Sequence, residues 1–324
     1  MNIRKVIAAG AGKLHRLPNS YQREENMNEK DPKSLFVIPP AKIDHIQRKI
    51  LDVAYAHVSP AQKLDLYWPA TGNGPFPVIL TIHGGAFKGG DKRDIQLMPM
   101  LAGLERNYAV VSINYRLSGE ATFPAQVHDV KAAIRWVRAN ASNFLFNPDK
   151  IAVWGGSAGG YLALMAGVSA GIPELEDPAL GNPEQPTDVQ AVVAWFPPTD
   201  FLQMDAQLEA SGFIQTPETA HSGPYSPESL LMGQPITQIP ERVRAANPET
   251  YIRPGLPPFF IQHGSADDTV PYQQSLNFAA KLAAQTGPQN VTYELLLNAR
   301  HADPVFETPQ NVRKVLDFLD SVLK

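Results

Sequence analysis

No cysteine occurs in the 324 residues, which excludes disulfides and thiolate metal sites outright. The compartment stays open, because exported proteins also do without cysteine. No apolar run approaches the roughly 20 residues that a membrane-spanning helix needs. A basic excess is missing too: 28 Lys and Arg face 32 Asp and Glu, for a net charge of −4 with both signs mixed along the chain. Nothing would therefore draw the chain to a nucleic acid. Internal repeats and low-complexity tracts are absent. What remains is an ordinary globular composition, 44% hydrophobic and 19% charged, on a chain long enough to bury a self-sufficient core.

The N-terminal MNIRKVIAAGAGKLHRLPNS carries basic residues and then a short apolar run. That run is at the lower limit for a signal peptide, is glycine-rich, and is followed at once by Lys13, His15 and Arg16. Residues 1–36 therefore read as a polar arm, and the expected location is the cytoplasm, or the periplasm or exterior if a signal has been removed. A single catalytic domain is expected over 37–324. It starts with two alternating stretches, 45–56 and 63–69, that suit antiparallel edge strands. Continuous apolar runs follow at 77–85, 108–117, 150–155, 189–198 and 257–265, with another strand at 291–299. Such runs suit strands buried on both faces. Helices are expected between the strands, at about 95–107, 123–144, 159–171 and 276–287, and an amphipathic helix closes the chain at 311–324. The alternation predicts an α/β fold: a mostly parallel sheet with an antiparallel N-terminal edge and helices on both faces. Two segments break the rhythm. Residues 172–188 are proline-rich and acidic, which suits a surface excursion. Residues 201–250 are too long for a plain connection and carry enough apolar side chains to pack as a small cap.

The chemistry starts at IAVWGGSAGGYLALMAG, 151–167. Gly155-Gly156-Ser157-Ala158-Gly159 fits G-x-S-x-G, a tight strand-to-helix turn that stands a serine at its tip. The glycines two before and two after Ser157 avoid a clash across the turn, and the helix N-terminus behind it favours negative charge. Small residues at a packed helix start would give the same short pattern by chance. The buried strand before it and the apolar helix after it favour a nucleophile. An attacking Ser157 needs N–H donors for the developing oxyanion, and HGGAFKGGDKRD offers them just past the strand at 77–82. Gly84 and Gly85 can turn main-chain N–H groups inward there, with Ala158 N–H as a further donor. His83 suits a loop brace. A phosphate-binding loop would need a G-K-[ST] ending, which is missing.

A serine nucleophile also needs a histidine base oriented by a carboxylate. Of eight histidines, His15, His45 and His57 lie in the arm or edge strands, His128 lies inside a helix, and His221 lies in the insertion. His263 ends a strand and suits a brace for the next turn. His301, on the loop after the strand at 291–299, can reach the sheet edge where Ser157 stands. The carboxylate is Asp267 or Asp268, on the loop after 257–262. Spacing does not choose between them. The order nucleophile, acid, base is that of a nucleophile-elbow hydrolase.

HGGAF (83–87), FPAQVHDVKAAIRWVRANA (123–141), IAVWGGSAGGYLALMAG (151–167), HGSADDTVP (263–271) and HADPVF (301–306) together resemble the α/β-hydrolases. More narrowly, the chain is similar to the esterases related to hormone-sensitive lipase and to the bifunctional acetyl-xylan and feruloyl esterases, over about 45–324. The resemblance implies Asp267 as the acid and Gly84, Gly85 and Ala158 as the oxyanion hole. It departs in having HGGA where relatives of hormone-sensitive lipase usually have HGGG. It also implies a serine carboxylic-ester hydrolase that works through an acyl-enzyme, without metal or cofactor. The expected partner is a small-molecule ester, of short or medium acyl chain. An acetyl or feruloyl ester of a carbohydrate fits, and a homodimer is left open. The competing readings are a formamidase or peptidase with the same residues, and a non-catalytic binding protein on the same fold.

Overall fold

The computed structural model describes residues 38–324, so the arm expected over 1–36 lies outside the described residues. Eight strands are formed: β1 Lys49–Ala54, β2 Lys63–Tyr67, β3 Phe76–Ile82, β4 Ala109–Ile113, β5 Phe146–Gly156, β6 Ala191–Trp195, β7 Phe259–Gly264 and β8 Val291–Leu296. They make one sheet in the order β1-β2-β4-β3-β5-β6-β7-β8. β1 and β2 pair antiparallel, as does β2 with β4, and every other pairing is parallel. This is the mostly parallel sheet with an antiparallel edge that the alternating pattern predicts.

The helices are α1 Met98–Leu101, α2 Ala125–Ala139, α3 Ala141–Phe144, α4 Ala158–Val168, α5 Met204–Ala210, α6 Pro227–Met232, α7 Pro240–Ala246, α8 Gln273–Thr286 and α9 Pro309–Leu323. Side chains alternate across each strand, so the sheet buries two cores. Val78, Leu80, Ile151 and Val153 pack with α2, α4 and α8 on one face. Ile79, Ala152, Trp154 and Val193 pack with α1 and α9 on the other. Among the described residues, no helix is long and apolar enough to cross a membrane.

Some expected elements are redrawn. The helix expected at 95–107 divides into a 3₁₀ turn at Ile95–Leu97, the single turn α1, and a second 3₁₀ stretch at Ala102–Arg106. Asp94 accepts from Gln96 N–H at its start, and Asn107 ends it with φ of 57°. The strand expected at 108–117 stops at Ile113, after which Asn114 Oδ1 is held by Lys92 N–H. The excursion 172–188 is tied down: Glu176 accepts from Lys131 and Arg135 of α2, both buried. On the same helix, wholly buried Asp129 accepts from the Arg116 guanidinium and from Gln62 Nε2. Residues 201–250 hold α5, α6, α7 and short 3₁₀ turns between β6 and β7. Phe201, Met204, Leu231 and Val243 from this segment join the α2/α4/α8 core.

Candidate active site

Four loops leave the C-terminal ends of parallel strands and meet over β5. The tightest is the turn from β5 into α4. Ser157 sits there at φ 56°, ψ −124°, a strained conformation for any L-residue. Its N–H donates to the Trp195 carbonyl at 2.9 Å. A Cβ on Gly159 would collide with the Ile82 carbonyl, and one on Gly155 with the backbone of Gly159. Both glycines are therefore demanded by close approach, as the pattern predicts.

His301 lies on the loop after β8, 144 residues beyond Ser157, with Nε2 at 3.0 Å from Ser157 Oγ. Its Nδ1 is 2.8 Å from Asp267 Oδ2. The choice left open between the aspartates resolves in the geometry: Asp267 faces the imidazole, while Asp268 faces outward and pairs with Arg300. Asp267 Oδ1 also accepts from the N–H groups of Thr269 and Val270, at 2.9 and 2.8 Å. Burial opposes ionisation of this carboxyl, but the charge of His301 and the hydrogen bonds from His263 and His301 outweigh it. The carboxyl is held well below the ordinary carboxylate range.

Two histidines pin the Asp267 turn. His263 Nε2 lies 2.8 Å from the Val270 carbonyl and 3.2 Å from Asp267 Oδ2, while its Nδ1 meets Ser275 Oγ at 2.6 Å. This is the brace expected of it. His221, carried by the insertion, reaches the Thr269 carbonyl with Nε2 at 2.8 Å and Glu228 with Nδ1 at 3.0 Å. Burial disfavours its protonation, yet the Glu228 carboxylate, the Thr269 carbonyl and the charge of Asp205 prevail and raise its pKa. His83 braces its own loop: Nδ1 is 2.8 Å from the Gly84 carbonyl, and the ring stacks on Tyr115 at 4.5 Å.

The donor set for an oxyanion differs from expectation at one residue. Gly84 N–H is engaged, donating to Gln96 Oε1 at 3.0 Å, so Gly84 does not serve as a free donor. Its lack of a side chain is needed for packing instead, since a Cβ there would come within 2.9 Å of the Gly156 carbonyl. Gly85 and Ala158 N–H have no hydrogen-bond acceptor among the described residues, and neither has Ala86 N–H, which the sequence reading did not consider. Ala86 and Phe87 follow Gly85 in the same left-handed region, with φ of 55° and 61°. Successive main-chain N–H groups in a turn conformation can gather into a concavity that binds an anion. Ala158 adds the free N–H of the first turn of α4.

A cavity of about 400 Å³ opens at Ser157 and His301. Ile95, Leu97, Met100, Trp195, Phe196 and Phe306 form its apolar wall. Asp91, Asp94, Asp303 and Glu307 also line it, and the cation among its lining residues, Lys92, pairs with Asp52 at 2.8 Å. No residue of 201–250 is among those lining it. Besides Ala86, the sequence reading missed Gln96, Trp195 and Phe196. Gln96 and the aromatic pair stand in no pattern that ties them to the elbow, and only the folded chain brings them there.

A geometry of this kind has relatives. The BD-FAE family model matches residues 64–282. A "Probable carboxylic ester hydrolase", LipM of Mycobacterium tuberculosis, is 34% identical over 78% of this chain. The esterase LipQ of the same organism is 34% identical over 75% of it. The chain spans about half the length of these curated relatives, 55% of each. Among solved structures, a bifunctional GH43-CE protein of Bacteroides eggerthii superposes with a TM-score of 0.76 at 32% identity, covering 85% of this chain and 35% of that one. A truncated carbohydrate esterase from gut microbiota gives 0.75 at 28% identity, covering 87% and 98%. The fold is thus the α/β-hydrolase fold of these esterases.

Proposed function

Given that the chain belongs to the BD-FAE family, we propose that it hydrolyses carboxylic esters through an acyl-serine intermediate. Ser157 attacks the acyl carbon as His301 Nε2 takes its proton. Asp267 accepts from Nδ1–H, which fixes the tautomer and stabilises the charged imidazole. The N–H groups of Gly85, Ala86 and Ala158 hold the oxyanion, where each well-aimed donor is worth about 3–4 kcal/mol. His301 returns the proton to the leaving alcohol, then activates the water that releases the acid. The observation that carries this reading is the unbroken chain Ser157 Oγ to His301 Nε2 at 3.0 Å and His301 Nδ1 to Asp267 at 2.8 Å.

The cavity suits short or medium acyl groups, and the carbohydrate esterase among the structural relatives favours an ester of a sugar. The test sets p-nitrophenyl esters from acetate to palmitate beside methyl ferulate and acetylated xylan, for the wild-type chain and Ser157→Ala. The variant should fold and lose about 10⁵–10⁶ in kcat, together with its labelling by a fluorophosphonate. A folded wild-type protein that neither labels nor turns over any ester would overturn the reading in favour of a binding protein.

A further inference from the structure

Phe196 stands where the loops of the site converge. It directly follows β6. The carbonyl of its neighbour Trp195 accepts from Ser157 N–H at 2.9 Å, and its own N–H donates to the Gln262 carbonyl of β7 at 2.7 Å. Its φ is 39°, a strained value for an aromatic residue, and such strain persists only where the surroundings over-determine it. The ring is buried. It meets the His301 imidazole edge-on, with centroids 4.8 Å apart at 65°, and Phe306 backs it at 4.6 Å. On the elbow side it is so close that a Cβ on Gly156 would come within 3.1 Å of the ring.

We propose that Phe196 is a positioning residue, whose ring holds the His301 imidazole in line between Ser157 and Asp267. The inference rests on the reading of His301 as the general base. The carboxylate at Nδ1 fixes one corner of the imidazole and leaves its tilt free. A rigid ring packed against it from β6, with Phe306 behind, removes that freedom. It does so from a strand tied by main-chain hydrogen bonds both to the nucleophile and to the strand that carries the acid. Proton transfer depends steeply on this alignment, so the imidazole must be held without being hydrogen-bonded a third time.

The test compares wild type, Phe196→Leu, Phe196→Met and Phe196→Tyr on p-nitrophenyl acetate and butyrate, with thermal melting as a folding control. Removing the ring should lower kcat by about 10- to 100-fold, the cost of a misplacement near 1 Å. KM for both esters should change little, fluorophosphonate labelling of Ser157 should slow in step, and Phe196→Tyr should recover most of the loss. Phe196→Met, unbranched and able to adapt to an irregular gap, carries the test if Phe196→Leu fails to fold. The proposal is overturned if kcat on acetate survives while KM or the acetate-to-butyrate preference shifts, because Phe196 would then be only a wall of the cavity. It is equally overturned if Phe196→Tyr is as impaired as Phe196→Leu. Failure of the parent reading is distinguishable, since the wild-type protein itself would then neither turn over ester nor label at Ser157.

Discussion

Asp267 and Asp268 are adjacent and have opposite surroundings. One is buried, bonded to His301 and to two backbone N–H groups; the other pairs with an exposed arginine. Asp267→Asn should therefore lower kcat by about 10⁴-fold, through the wrong imidazole tautomer. Asp268→Asn should change it by less than about threefold, since an exposed ion pair contributes little. Parallel kinetics on the two folded variants decide it, and the reverse ranking would remove Asp267 from its role. Gln96 offers a second contrast at this scale. It holds Gly84 N–H and, through Nε2, Asp94 at 3.0 Å, so it ties the glycine loop to the segment that lines the cavity. Gln96→Ala should reduce kcat/KM by about tenfold while melting near wild type, as expected of a loop support whose loss costs alignment rather than core packing.

At the scale of elements, His221 couples the insertion to the Asp267 turn. Its pKa is raised by Glu228, so its contribution to stability is full below the ordinary histidine value near roughly pH 6.5 and is lost as pH rises through the higher folded value. His221→Asn should thus melt below wild type at pH 6, and the gap should narrow towards pH 9. Melting curves across that range would show it, and a gap constant with pH would deny the charged contact. A second element-scale case is Asp129 on α2. Its replacement by Ala leaves the Arg116 guanidinium, only 14% exposed, without its partner, and should cost about 3–5 kcal/mol in denaturant unfolding.

The same scale explains what could be read from the chain in advance. The strands were legible because each buried run is continuously apolar, from PVILTI to PPFFIQ, and such runs have few other uses. The helix at 95–107 was not legible as three pieces. Its apolar spacing suits a helix, while Asp94, Pro99 and Asn107 divide it through caps and a left-handed residue whose effect depends on tertiary contacts. Within the site, Ser157 and His301 were legible from their place at strand ends. The glycine pair just past a strand end pointed to Gly84 as a donor, but a donor is defined by where its N–H points. That is set by the sign of φ at Gly85, Ala86 and Phe87 and by Gln96 claiming the preceding N–H. Phe196 carried no signal at all, because its role depends on a neighbour that only the fold supplies.

For the whole molecule, the proposed ester hydrolysis makes the cavity the feature that would set selectivity. About 400 Å³ of largely apolar space beside Ser157 should favour butyrate over palmitate in kcat/KM by at least about tenfold, as each unaccommodated methylene forfeits its burial. The carboxylates around it, with Lys92 already paired, should make an anionic hemisuccinate ester a poorer substrate than a neutral butyrate. Added salt should narrow that difference.

Ser157 and His301 stand 144 positions apart and face one another only because β5, β6, β7 and β8 are all in place. Turnover is therefore a gauge of long-range order across half the sheet. In rising urea, ester cleavage should fade before the far-ultraviolet helical signal does, since a slip of one strand end parts the pair while leaving most of the spirals wound.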